Sequence, residues 1–117
     1  MLFFFAAACM VSCSKEEATL NLNRPAGCDS FEVSYVKDIK PVIAANCAYS
    51  GCHVPGTGNY DYTRYEVLAD RIRSGRLEYR ITLPQGSQLH MPQSTYPVPA
   101  CDLYHLRVWI HQGFKNN

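Results

Sequence analysis

The chain lacks several features that would narrow its chemistry quickly. Its formal net charge is only +1 over 117 residues, so no one-signed field steers it toward nucleic acid or an acidic surface. It has no Ser-His-Asp arrangement, no glycine-rich phosphate loop and no paired-carboxylate motif. No catalytic residue is therefore assigned, and the expectation is a protein that is not an enzyme. No segment alternates apolar and polar residues at the strand period, and no internal repeat is present. The apolar run at residues 2–8 is too short to span a bilayer. A chain of this length suits one domain with a modest core, which a buried cofactor or a disulfide would support.

What the sequence does have is six cysteines, and their positions organise the reading. The first follow the apolar run at residues 2–8. Such a run, ending in small residues and a cysteine, is the pattern of a secretory signal. Met10-Val11-Ser12-Cys13 resembles a bacterial lipobox. Residues 1–12 are accordingly expected to be a lipoprotein-type signal peptide, with Cys13 acylated and Cys9 as the rival site. Residues 13–27, polar and without periodicity, are expected to be a lipid-anchored linker, and residues 28–117 the folded domain. The protein would then be exported and held to a membrane by its lipid, on the periplasmic or outer-membrane side.

Three helices are expected in the domain. Over residues 35–46, Val36, Ile39, Val42 and Ile43 fall on one face, with Ser34 as cap and Pro41 imposing a kink or restart. A second helix starts at Thr63, where Thr63-Arg64-Tyr65-Glu66 has the form of a capping box. Its stripe is Tyr65, Leu68 and Ile72, and Gly75 closes it in the left-handed conformation. A shorter turn follows over residues 77–81. The last helix covers residues 100–112, with Leu103, Leu106 and Ile110 on one face and Trp109 beside them. A proline-rich loop, residues 84–99, carries Met91. The fold class expected is all-α.

The motif that carries chemistry is Cys47-Ala48-Tyr49-Ser50-Gly51-Cys52-His53. Covalent attachment of haem c needs two thiols to reach the two vinyl groups of the porphyrin, and a histidine after the second thiol to lie under the iron. The common spacing has two residues between the cysteines, whereas here there are four. Ser50-Gly51 gives the extra residues a flexible point at which to bulge outward. Two other readings use the same residues: a local Cys47–Cys52 disulfide, or a zinc site of Cys47, Cys52 and His53 with another Cys or His as fourth ligand. Either would make the chain a haem-free lipoprotein with a structural or binding role.

Around this motif, over residues 33–117, the sequence resembles the monohaem class I cytochrome c family, and in particular the short cytochrome domains of bacterial lipoproteins. The likeness rests on Asp38-Ile39-Lys40-Pro41-Val42-Ile43 before the attachment site, His90-Met91-Pro92 in the loop, and Val108-Trp109-Ile110-His111-Gln112-Gly113 at the end. It implies a small cytochrome c-like helical fold around one haem. Cys47 and Cys52 would carry the thioethers, His53 would be the proximal iron ligand and Met91 the distal one. It also implies electron transfer to and from redox partner proteins. Met91 is the only methionine after residue 10, and a thioether is a soft ligand that suits haem iron. His90 is the rival ligand, while His105 and His111 are expected to be surface or packing residues. In that family the first and last helices pack together, which implies a disulfide between Cys28 and Cys101. The alternative is two free thiols. Finally, Arg64, Arg71, Arg73, Arg76 and Arg80 are interleaved with Glu66, Asp70 and Glu78. They are expected to form a solvated face with ordinary ion pairs, although some could hold haem propionates.

Overall fold

The computed structural model describes residues 22–117. The segment expected to be a signal, Cys9, Cys13 and most of the expected linker lie outside these residues. Among the described residues all regular structure is helical. A wide π-type turn, Tyr35–Ile39, runs straight into α1, Lys40–Asn46; α2 covers Tyr65–Arg73, α3 covers Arg76–Thr82 and α4 covers Ala100–His111. None of these helices is long and apolar enough to cross a membrane.

The first helix starts with a reciprocal cap. The Ser34 hydroxyl accepts from the Lys37 amide at 3.2 Å, and the Asp38 carboxylate accepts from the Ser34 amide at 2.8 Å. The wide turn then changes which side chains face inward. Bonds such as Ile39 N–H to Ser34 carbonyl (3.2 Å) skip five residues. Tyr35, Ile39 and Ile43 therefore line up on the buried side, while Val36 is 59 % exposed. This corrects the expected stripe, which assumed an α-helical period throughout. Pro41 falls at the start of α1, at its junction with the π-type turn, where the main-chain bonding changes period.

The capping box expected at Thr63 does not form. The Asp61 carboxylate takes both the Thr63 amide (3.0 Å) and the Thr63 hydroxyl, a local turn that competes with capping. As a result α2 starts two residues later, at Tyr65, without a side-chain cap. Gly75 does adopt the left-handed conformation, at φ 73°, and turns the chain directly into α3.

The core gathers Ile39, Leu68, Ile72, Leu77 and Leu106 around Trp109, whose side chain is fully buried. Tyr35 stacks on Trp109 (5.5 Å, 24°), and Tyr65 and Phe114 meet it edge-on. The Trp109 indole N–H donates to the Lys115 carbonyl at 2.9 Å, so its burial leaves no polar group unpaired. The last residues fold back over the first helix. The Tyr65 hydroxyl donates to the Phe114 carbonyl (2.7 Å). Asn117 accepts from the Tyr35 amide through Oδ1 (2.9 Å), and through its main-chain oxygen from the Val36 amide (3.0 Å) and the Ser34 hydroxyl (2.8 Å). These groups satisfy amides that the start of a helix leaves open. Cys28 and Cys101 are joined by a disulfide, which ties the segment before the first helix to the first turn of α4.

Candidate functional site

The end of α1 delivers Cys47 to the wall of a cavity of about 630 Å³. The loop that follows is a compact double turn. The Cys52 amide donates to the Tyr49 carbonyl (2.9 Å) and the His53 amide to the Cys47 carbonyl (3.0 Å). Gly51 sits at φ 83°, a left-handed conformation that costs glycine little. Cys47, Cys52 and His53 all line the cavity, and so do Tyr49 and Gly51 from between the cysteines. Tyr49, Ser50 and Gly51 are exposed, so the double turn takes up the extra length at the surface rim of the cavity. Beyond His53, the Thr57 hydroxyl donates to the Cys52 carbonyl (2.6 Å) and steadies the next turn.

His53 is held on two sides. Its Nδ1 lies 2.8 Å from the Tyr60 carbonyl. A carbonyl only accepts, so Nδ1 carries the proton and a neutral ring keeps its free lone pair on Nε2. The Tyr62 ring lies parallel to the imidazole, 4.1 Å away and 5° off its plane. This hydrogen bond resembles the outer partner that orients histidine ligands in metal sites.

The proline-rich loop supplies another wall. The Met91 amide donates to the Arg80 carbonyl at 3.1 Å, and Met91 lines the cavity. His90 is not among the lining residues; its Nδ1 is spent on the Leu83 carbonyl at 2.7 Å. His105 bonds the Asp29 carbonyl (2.9 Å) and His111 bonds Glu78 (2.6 Å), both away from the cavity.

Cys47 and Cys52 are free thiols, not bonded to one another. Burial, reinforced by the neighbouring Cys52, pushes the Cys47 thiol up to about 11. Among the described residues no three His, Cys, Asp or Glu side chains gather closely enough to hold a metal ion. Cys47, Cys52 and His53 form no such group.

The arginines depart most from expectation. Arg73 pairs with Asp70 on the surface at 2.7 Å, as foreseen. Arg71, Arg76 and Arg80 instead line the cavity, and no Asp or Glu lines it with them. The Arg71 guanidinium lies over the Tyr60 ring at 4.2 Å, and its Nε is buried without a hydrogen-bond partner. A signal for this was present in the sequence. Leu68-Ala69-Asp70-Arg71-Ile72 and Leu77-Glu78-Tyr79-Arg80-Ile81 share one pattern, in which an arginine sits three residues after a core leucine and one before a core isoleucine. That spacing puts both arginines beside the buried stripe.

The cavity can be tested for fit to a haem on these observations alone. It offers two thiols, an oriented imidazole and a thioether on its walls, three cations without carboxylates, and one orphaned donor awaiting an acceptor. A flat apolar macrocycle carrying two carboxylates matches that donor set. No family model, curated protein or solved structure matches the chain.

Proposed function

We propose that the chain is a one-haem c-type cytochrome domain that transfers electrons, in a cytochrome c-like fold on an exported, lipid-anchored protein. The observation that carries this reading is that Cys47, Cys52, His53 and Met91, four residues from two separate parts of the sequence, line one cavity. Cys47 and Cys52 would each add S–H across a vinyl group, forming one C–S bond and giving the hydrogen to the adjacent vinyl carbon. His53, with Nδ1 fixed on the Tyr60 carbonyl, would ligate through Nε2, and Met91 would supply its sulfur from the opposite loop. Bound there, the haem would supply a one-electron couple, with a thioether ligand favouring the ferrous state. With His53 and Met91 both holding the iron, the chain would leave no open position for a substrate, and the role would be carrying electrons rather than catalysis. Redox partner proteins and a membrane reached through Cys13 complete the proposal.

Ligand substitution tests it. Wild-type protein made with haem-attachment machinery should show the weak far-red sulfur-to-iron band when ferric and no carbon monoxide binding when ferrous. Met91→Ala should lose the band and gain carbon monoxide binding with its haem still attached, and His90→Ala should change neither. A wild-type spectrum in Met91→Ala together with a disturbed one in His90→Ala would overturn the assignment.

A further inference from the structure

The ligand assignment does not account for Arg71, yet both restraints on His53 lead to it. Its guanidinium covers the Tyr60 ring at 4.2 Å, a cation–π contact. The main chain of that same Tyr60 accepts from His53 Nδ1 at 2.8 Å. Arg71 also stands beside the Tyr62 hydroxyl in the same cavity wall. The Tyr62 ring in turn stacks on His53 at 4.1 Å, and the Tyr62 amide donates to the His53 carbonyl at 3.0 Å. The hydrogen bond that fixes the imidazole tautomer and the ring that fixes its plane thus converge on one cation. The Nε of that cation remains buried and unpartnered in the cavity wall, a condition proteins rarely leave unsatisfied.

We infer that Arg71 is the positioning residue for His53. It clamps Tyr60 and Tyr62, and its Nε–H donates to a carboxylate of the cavity's occupant, so that anchoring the occupant at one end sets the imidazole at the other. The inference rests on the haem reading for what fills the cavity, but not for how His53 is held.

Arg71→Gln and Arg71→Lys, in the full chain made with haem-attachment machinery, test it through two signals that simple destabilisation of the fold does not move. The hyperfine-shifted haem-methyl resonances of the ferric protein follow the plane of the imidazole. The reduction potential follows the charge near the iron. Arg71→Gln should change the methyl pattern and shift the potential negative, because a nearby cation favours the more electron-rich ferrous form. Arg71→Lys keeps the charge but has neither the planar stack nor Nε. It should change the methyl pattern while holding the potential near wild type. Wild-type methyl shifts and potential in both variants would overturn the inference. If neither variant folds, Tyr60→Leu removes the ring under the guanidinium and keeps the main-chain carbonyl; it should shift the methyl pattern, and an unchanged pattern overturns the inference. A wild-type protein without haem would refute the haem reading separately. The proton–proton contact between the His53 and Tyr62 rings in the haem-free chain then decides: its loss in Arg71→Gln supports the inference, and its persistence overturns it.

Discussion

The part of the molecule built from the first helix, α4 and the last residues contrasts sharply with the part that faces the cavity. In the first, the largest buried side chain, Trp109, has its one polar atom bonded. The opening amides of the helix are met by Asp38 and Asn117, and a disulfide holds the outer edge. In the second, two thiols stand free, three arginines face a space without a carboxylate, and one guanidinium nitrogen is buried and unpaired. The same chain satisfies its polar groups in one region and leaves them open a few residues away. On the proposed function, the first, finished half is scaffold, and the second is where a bound molecule would supply a partner for the buried Arg71 Nε.

The comparison predicts where damage is costly. Trp109→Ala removes the centre of the finished half and should lower unfolding free energy by about 5 kcal/mol, at the upper end for a large buried aromatic. Chemical denaturation would measure it, and a loss under about 2 kcal/mol would mean that the scaffold is less tightly packed than described. Replacing Cys28 and Cys101 together by alanine opens a loop with a sequence separation of 73 residues. The expected loss is about 4 kcal/mol on the chain-entropy model. An identical denaturation midpoint under reducing and non-reducing conditions would contradict the pairing.

The cavity half should instead respond to pH. In the haem-free chain, the folded Cys47 thiol is raised to about 11 from an ordinary value of 9.0. Above pH 9 the unfolded chain therefore gives up this proton first, and stability falls with rising pH until about pH 11, where the folded thiol also ionises. The loss across that window should be about 3 kcal/mol. Comparing Cys47→Ala with wild type isolates it, and equal slopes in the two proteins would sink the prediction. The smallest effect belongs to the surface. Arg73→Ala breaks the exposed pair with Asp70 and a long cation–π contact with the Phe114 ring at 5.6 Å and should cost no more than about 1 kcal/mol. A larger cost would remove the distinction between surface and cavity arginines.

Much of the scaffold could be read from the sequence because periodicity and turn chemistry act locally. Leu68, Ile72, Leu106 and Ile110 follow the helical period and are buried, and Gly75 marks its turn through a backbone need that glycine meets cheaply. The failures came where two local preferences compete. Val36 was misplaced because a π-type turn alters the period without a compositional mark. Thr63 was misplaced because Asp61, two residues earlier, captures it. In the site, the cysteines and His53 were legible as a motif, and Met91 as the only methionine of its region. Arg71 is legible only as one of five arginines that could hold propionates, because the interleaved acids suggest ion pairs; its place beside Leu68 and Ile72 is a signal, and the fold decides that this side of α2 faces the cavity. The bond from His53 to the Tyr60 main chain has no side-chain signature at all.

The most direct measurement is the absorbance spectrum of the protein made with haem-attachment machinery, before and after extraction with acidified organic solvent. The account predicts a c-type spectrum whose colour stays with the wild-type protein through extraction, and a chain without bound colour when Cys47 and Cys52 are both alanine. A colourless wild-type protein, or haem that leaves it entirely in the solvent, would contradict the claim that this cavity is built to hold a covalently bound haem.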